Sequence, residues 1–419
     1  MATTDDPVLG GVLARLLARS RTIGPRDLPG LVDDAARALG AAGARIYLAD
    51  VQQQHLVPLS GPLDDPLDDP SDGPGQRVGA ADGEDAEDGE DIETTLAGRA
   101  YRLERTQLSA GPPPVHWYPL VDGAERIGVL RVAARPPQPE ATDCWESLAA
   151  LVALVVVSKA AFSDMIVRTT RDRPMSLQAE LLWAFLPPRT IGTRDVTSSA
   201  VLEPAYDVGG DAFDHSVAGG HLHVSVFDAM GHDLASGGAS SVALAACRST
   251  RRDGGDLADI ARAIDRTLGR WIPDRLLTAV VADLDTATGD LAWVNCGHPT
   301  PLLIRGRHVV ADALRRRAEL PLGLGFHDQG PQPVHHLRLQ PGDRVLIYTD
   351  GVTDARSTIG DTFGEERLTD ALVQHMAGGE PAPEALRHLI HSLLAHQDHR
   401  LRDDATILLA EWHPHGRRS

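Results

Sequence analysis

Four aspartates in the C-terminal half of the chain stand at the ends of predicted strands, in motifs rich in glycine or further aspartate. They are Asp211, Asp228, Asp350 and Asp403, in the segments VGGDAFD, FDAMGHD, YTDGVTD and RDDATILL. Any one of them could be an ordinary turn residue, because aspartate and glycine both favour turns. Four such strand ends together predict a convergent cluster of carboxylates.

A buried cluster of carboxylates repels itself unless cations or protons neutralise it. Oxygen ligands without cysteine or histidine select hard ions, Mg²⁺ or Mn²⁺, over Zn²⁺. Two such ions about 3.5–4 Å apart can clamp a phosphate and ionise a water molecule for in-line attack. The four aspartates therefore indicate metal-dependent hydrolysis of a phosphate ester.

The elements that would position these aspartates can be read from the apolar periodicity. Strands are predicted over 221–228, 275–285, 290–297, 343–351 and 404–412, and helices over 177–186, 234–251, 256–271, 365–377 and 383–396. Runs of antiparallel strands with helices in pairs predict packed sheets flanked by helices, an α+β arrangement rather than a parallel βαβ sheet.

The motifs of this half also occur in a recognisable order: LQAELLWAFLPP, VGGDAFD, FDAMGHD, NCGHPTPLL, YTDGVTDA and DDATILL. In this order they resemble the PPM-type (PP2C-like) metal-dependent serine/threonine phosphatases, in their bacterial SpoIIE-like branch. The resemblance covers about 176–412. It implies an α-β-β-α sandwich of two antiparallel sheets, and hydrolysis of phosphoserine or phosphothreonine by direct attack of water without a phosphoenzyme.

The resemblance also implies a ligand set for two Mn²⁺ or Mg²⁺ ions, which would activate the attacking water. Asp228 would bridge both ions. The carboxylate of Asp211 and the backbone carbonyl of Ala229 would serve one ion, and Asp350 and Asp403 would serve the other.

Neighbouring residues are expected to support these ligands. Gly210 would allow a tight backbone turn, and Gly351 and Asp404 would have supporting roles. Two histidines, His232 and His298, are candidates for a general acid, with a structural role as the alternative for each.

The resemblance further implies a protein substrate, a phosphorylated anti-anti-sigma (STAS) protein whose dephosphorylation would free a sigma factor. One alternative is a catalytically inactive, partner-binding regulator of the same fold, which a missing metal aspartate would favour; none is missing. A second alternative is a metal-dependent nuclease. The net charge of −19 over 419 residues counts against a nuclease and against nucleic-acid binding in general.

The N-terminal half resembles a GAF sensor domain over about 25–160, on the segments GARIYLADVQQQHLVPL and ERIGVLRVAA. The expected organisation is an N-terminal extension over 1–24, this GAF-like α/β domain, a helical linker over 161–176, the phosphatase domain over 177–412 and a tail over 413–419. The domain boundary is expected between Arg168 and Leu177.

Two segments of the N-terminal half leave alternatives open. The tract 64–93 holds 13 acidic residues against a single arginine. It is predicted to be a disordered, solvated loop, with an acidic docking arm as the alternative. A helix predicted over 142–168 carries apolar residues at a/d spacing, which could form a homodimer or pack against its own domain.

The location of the protein can be argued from its cysteines and its apolar segments. Cys144, Cys247 and Cys296 are too few and too far apart for a disulfide framework. No apolar run approaches the length of a membrane span, and no secretory signal is recognisable. The sequence therefore predicts a cytoplasmic protein without membrane association.

Overall fold

The computed structural model divides the chain into two compact units, Met1–Asp172 and Arg173–Ser419. It describes residues 7–60, 89–109, 111, 114–133, 139–317, 319–327, 333–357, 360–377, 380–398, 401 and 403–414. Most of the acidic tract, residues 64–88, and the end of the expected tail, residues 415–419, lie outside the described residues.

The N-terminal unit is built on a six-stranded antiparallel sheet with the strand order β3-β2-β1-β6-β5-β4. The strands are β1 Gly43–Ala49, β2 His55–Pro58, β3 Glu90–Asp91, β4 Gln107–Ser109, β5 Val115–Asp122 and β6 Glu125–Ala133. The structure contains the two strand pairs that the sequence predicts, β1 with β2 and β5 with β6. The hairpin between β5 and β6 turns at Gly123, whose φ of +62° favours glycine.

Among the described residues, the α-helices that accompany this sheet are α1 Pro7–Ser20, α2 Leu28–Ala38, α3 Leu96–Leu103, α4 Pro139–Ala160 and α5 Asp164–Thr169. Helices α1, α2 and α4 contribute to one apolar core, and α3 packs over a second core around Tyr101 and Trp117. Residues 7–20, expected to be part of an extension, form helix α1, and its Val12 and Leu16 are buried in the first core.

The prediction of a single helix over 142–168 was wrong, because the structure has two helices there, α4 and α5. Ser163 accepts a hydrogen bond from the backbone of Met165 and so caps the start of a new helix. The a/d residues Leu148 and Val155 are buried in the unit's own core. A homodimer would need other positions of α4, among which Leu154 is 55% exposed.

The C-terminal unit contains two antiparallel sheets. Their strands are β7 Thr190–Gly192, β8 Val196–Glu203, β9 Asp211–Ala218, β10 His221–Ala229, β11 Leu277–Asp285, β12 Asp290–Cys296, β13 Leu302–Arg305, β14 His308–Val309, β15 His335–Arg338, β16 Arg344–Tyr348 and β17 Ala405–Trp412. The five-stranded sheet has the order β15-β12-β11-β10-β9, and the six-stranded sheet has the order β14-β13-β16-β17-β8-β7.

The described residues of this unit form the helices α6 Leu177–Phe185, α7 Leu234–Arg252, α8 Leu257–Trp271, α9 Asp350–Thr353, α10 Gly364–Ala377 and α11 Ala382–His396. Helices α7 and α8 pack on the five-stranded sheet, and α11 packs on the six-stranded sheet. The predicted sandwich of two antiparallel sheets between helices is confirmed. Among the described residues, no helix combines the length and apolar character that a membrane span requires.

Candidate metal centre

The first two aspartates lie on neighbouring strands of the five-stranded sheet. Asp211 begins β9, Asp228 lies one residue before the end of β10, and the two are paired in the antiparallel register. Directly paired residues of antiparallel strands project their side chains to the same face of the sheet. The ladder therefore brings together two carboxylates that are 17 positions apart in the sequence.

The other aspartates come from the six-stranded sheet. The predicted strand over 343–351 ends earlier, at Tyr348, and Asp350 is the first residue of the short helix α9. Asp403 and Asp404 immediately precede β17. A Cβ atom at Gly351 would collide with the backbone carbonyl of Asp404, so this glycine allows the turn at Asp350 to pack directly against the start of β17.

Asp404 supports the turn that leads into β9. Its Oδ2 accepts hydrogen bonds from three consecutive backbone amides, those of Gly209 at 2.8 Å, Gly210 at 2.6 Å and Asp211 at 3.1 Å. A Cβ atom at Gly210 would collide with the carbonyl of Ala229. The expected supporting residues therefore hold the backbone around Asp211 and Ala229 in a close-packed arrangement.

A threonine connects the two sheets at this point. The hydroxyl of Thr349 donates a hydrogen bond of 2.7 Å to Oδ2 of Asp211, and its oxygen accepts one of 2.9 Å from the amide of Thr406. Thr349 directly precedes Asp350, so the same turn that presents Asp350 also fixes Asp211. Sequence reasoning missed Thr349, although its place in YTDG beside a predicted ligand was an available signal.

Burial and mutual repulsion dominate the electrostatics of the cluster. They raise the pKa of Asp228 to about 7, with Asp350, Asp403 and Asp404 as the repelling charges. Burial, followed by Asp228 and Asp404, raises the pKa of Asp211 well above its usual value. Burial also raises the pKa of Asp350 and of Asp404. In the described part of the chain, no arginine or lysine is among the main groups that shift these pKa values.

The donor set fits the metals expected from the sequence. Charge repulsion links Asp211 to Asp228, and Asp228 to Asp350 and Asp403. Every proposed ligand atom, including the carbonyl oxygen of Ala229, is an oxygen. Such donors suit Mg²⁺ and Mn²⁺. Clusters of carboxyls with strongly raised pKa values are also typical of functional sites, because ordinary folding would avoid their repulsion.

The two candidate general acids occupy different environments. His232 is exposed, in the loop after β10. Its backbone lies against Gly209, where a Cβ atom would collide with it. His298 is 4% exposed, and burial lowers its pKa to about 3. A buried imidazole that stays neutral is a very weak acid near neutral pH, so the structural alternative is favoured for His298.

Residues 218–413 match the family model described as Stage II sporulation protein E (SpoIIE). This match lies within the C-terminal unit and confirms the predicted resemblance to the SpoIIE-like branch of the PPM-type phosphatases. The predicted resemblance of the N-terminal unit to a GAF domain stays a prediction.

Two curated proteins are similar to parts of the chain. Protein IcfG of Synechocystis sp. is 29% identical over 126 residues, which are 30% of this chain and 19% of that protein. The chain thus spans about a fifth of the length of IcfG. Phosphoserine phosphatase RsbU of Bacillus subtilis is 21% identical over 281 residues, which are 65% of this chain and 81% of that protein.

Solved structures are similar to about half of the chain. The SiaA-PP2C domain of Pseudomonas aeruginosa shares 23% identity, with a TM-score of 0.47, over 56% of this chain and 94% of that chain. The RsbU and RsbW domains of Rv1364c from Mycobacterium tuberculosis share 23% identity, with a TM-score of 0.46, over 54% of this chain and 63% of that chain.

Proposed function

We propose that this protein is a metal-dependent protein serine/threonine phosphatase whose chemistry resides in the C-terminal unit. The observation that carries the proposal is the cluster of aspartates around the buried Asp211, in which the pKa values of Asp211 and Asp228 are raised. Asp228, Asp350 and Asp403 lie within the region 218–413 that matches the SpoIIE family. The repulsion within this cluster is relieved when divalent cations bind, and phosphate ester hydrolysis is a chemistry that such paired ions support.

The residues that would hold two Mn²⁺ or Mg²⁺ ions are Asp228 for both, Asp211 and the Ala229 carbonyl for one, and Asp350 and Asp403 for the other. When bound, the ions would supply an ionised water near neutral pH and neutralise the charge of the phosphate.

The chain itself contributes preorganisation to this site. The hydroxyl of Thr349 fixes one oxygen of Asp211, and the carboxylate of Asp404 fixes the amides that precede it. Because these contacts are already made, little reorganisation is needed when a ligand arrives.

Thiol chemistry is disfavoured by the environment of two cysteines. Cys247 and Cys296 are both buried, burial raises the pKa of Cys247 to about 12, and it raises that of Cys296 further. A phosphatase that uses a cysteine nucleophile needs an exposed thiol with a lowered pKa. The three free cysteines also support a reducing, cytoplasmic compartment.

The substrate we propose is a small phosphorylated anti-anti-sigma protein of the STAS type. Its dephosphorylation would free a sigma factor. The similarity to a protein named phosphoserine phosphatase RsbU supports a substrate that contains phosphoserine. The N-terminal unit would act as the sensor that controls turnover. An inactive regulator of the same fold remains the alternative, and the presence of every expected carboxylate argues against it.

The test is turnover of the full-length protein on a panel of phosphoserine-containing STAS proteins and on a small aryl phosphate. We expect negligible activity in excess chelator, recovery with Mn²⁺, and weaker recovery with Mg²⁺. Full activity in chelator would overturn the metal-dependent mechanism. A protein that binds Mn²⁺ in calorimetry but hydrolyses neither substrate would instead support the inactive regulator.

A further inference from the structure

A threonine on the strand next to β10 faces the proposed bridging aspartate. Thr278 on β11 is paired with Asp228 on β10 in the antiparallel register, so their side chains share one face of the sheet. The hydroxyl of Thr278 lies close enough to the carboxyl group of Asp228 to act on its pKa, which it lowers against the larger effect of burial. The ionised carboxylate, which is the form that would hold a metal ion, accepts hydrogen bonds but cannot donate them, so a hydrogen bond between the two groups in that form is donated by Thr278.

A buried histidine continues this chain of contacts. Nδ1 of His298 lies 2.8 Å from Oγ1 of Thr278, and the side chain of His298 is shielded from solvent. A hydroxyl has only one proton. If Thr278 donates that proton to Asp228, its oxygen must accept the hydrogen bond from His298, which places a proton on Nδ1 of the neutral imidazole.

The loop around His298 is itself held in place by a side chain. Oδ1 of Asn295 accepts a hydrogen bond of 2.9 Å from the amide of His298, and Nδ2 of Asn295 donates one of 2.9 Å to the carbonyl of His298. Gly297 between them has a φ of +75°, and a Cβ atom there would lie 2.8 Å from Pro321. The NCGH segment thus forms a turn that holds the imidazole of His298 in one position.

We infer that His298 is a positioning residue that orients the carboxylate of Asp228 through the hydroxyl of Thr278. This inference rests on the proposed function, because a fixed Asp228 matters only if that carboxylate bridges two ions. A carboxylate that is restrained by an outer hydrogen-bonded partner presents its free lone pairs in one direction, and such outer partners tune metal affinity. Neither Thr278 nor His298 is among the residues proposed to hold the ions.

A competing arrangement exists within the same geometry. The backbone of Tyr348 also lies near the imidazole and favours its protonation. A proton on Nε2 directed to that backbone would leave Nδ1 as an acceptor. Thr278 would then donate to His298, and Asp228 would lose its partner. The tautomer of His298 therefore decides between the two arrangements, and ¹⁵N NMR of the labelled imidazole in the full-length protein measures it. We expect a proton on Nδ1, and a proton on Nε2 would overturn the inference.

The second test is a thermodynamic cycle with Thr278→Val, His298→Leu and the double variant, read out as the Mn²⁺ dissociation constant by calorimetry. Removal of an outer partner typically weakens metal binding by about 10–100-fold, so we expect about tenfold weaker binding for each single variant. Because the two residues act in series, the double variant should be no weaker than the single variants. In His298→Asn, an amide nitrogen can take the place of Nδ1, so we expect most of the affinity to return.

His215→Leu is the matched control. His215 is, like His298, a buried histidine, but it lies in β9 and its ring contacts Ser198 and the carbonyl of Pro188. It should lower stability without changing the Mn²⁺ dissociation constant. The wild-type protein could bind Mn²⁺ normally while the single variants bind it equally well, or while their effects add in the double variant. Either result would overturn the positioning role and leave the proposed function intact. Wild-type protein that binds no Mn²⁺ would overturn the proposed function and the positioning role together.

Discussion

Two aspartates three residues apart on β9 are both buried, and their electrostatic environments are opposite. Asp214 accepts hydrogen bonds from Arg248 at 2.6 and 3.0 Å and from Arg251 at 2.8 Å. These two arginines overcome the effect of burial and hold the pKa of Asp214 below its usual value. Asp211 has a threonine hydroxyl and further carboxylates as neighbours, and its pKa is raised.

The difference between Asp211 and Asp214 shows what separates a structural carboxylate from a functional one. An odd spacing along a strand directs two side chains to opposite faces of the sheet. Asp214 meets arginines of α7, so the chain supplies its counter-charge, whereas Asp211 meets the strand ends that carry Asp228 and Asp404. A buried carboxylate without a cation from the protein is one that an external cation can stabilise.

The largest expected effect is on turnover, from Asp228→Asn. We expect a fall of at least about a hundredfold, the scale seen when one positioned electrostatic group is removed. Asp285→Asn is the matched control, because Asp285 also ends a strand but accepts hydrogen bonds from the turn amides of Ala287 and Thr288. The measurement is turnover of both folded variants at saturating Mn²⁺. Equal activity of the two variants would show that the cluster is not the catalytic site.

The next effect concerns the free energy of unfolding, for which the structural Asp214 should matter more than Asp211. Asp214→Asn leaves two arginines without their shared carboxylate, and we expect a loss of about 2–3 kcal/mol in the free energy of unfolding. Asp211→Asn removes a repelled charge, so we expect no loss of stability in the absence of metal. Urea unfolding in chelator measures both. If Asp211→Asn were the more destabilised variant, the assignment of repulsion to this cluster would be wrong.

A smaller effect is expected in the pH dependence of metal-free stability. Because the pKa of Asp228 is raised to about 7, the folded state retains a proton that the unfolded state has released. The stability this contributes is present below about pH 4 and is lost as the pH rises through 7. Buried histidines act in the opposite direction: burial lowers the pKa of His223 to about 3, so its contribution grows as the pH rises toward 6.5.

The difference between wild type and Asp228→Asn removes the histidine contribution, because both proteins carry the same histidines. In chelator, we expect the melting temperature of the variant, relative to wild type, to rise by about 5 °C between pH 5 and pH 8. Thermal unfolding at a series of pH values measures this difference. A difference that does not vary with pH would mean that Asp228 titrates as an ordinary exposed carboxyl.

The smallest effect is expected from the acidic tract, which the sequence predicts to be a solvated loop. Solvated charges are screened within about 8–10 Å at ordinary salt, so they cannot assemble a site at a distance. We expect deletion of residues 64–88 to leave turnover of a small aryl phosphate within a few-fold. This deletion keeps Glu90 and Asp91, which form β3. An inactive deletion variant that folds and binds Mn²⁺ would give the tract a role in catalysis.

The sequence by itself determined the type of site and the class of fold. Apolar alternation that ends in aspartate predicted β10, and aspartates at one end of the apolar segments of β16 and β17 predicted that several carboxylates would meet. These are local signals, since each is contained in a segment of about ten residues whose periodicity also sets its secondary structure. The same signals could not separate Asp211 from Asp214, because both occur in VGGDAFD.

The tertiary structure decided which carboxylate has which neighbours. Asp404 reaches three amides near Gly210 that precede it by almost 200 positions, and Thr278 reaches Asp228 only through the register of β10 and β11. It also decided that the segment 142–168 forms two helices and that α1 belongs to a core. Register, capping and burial depend on contacts between residues distant in the chain, and no single segment contains that information.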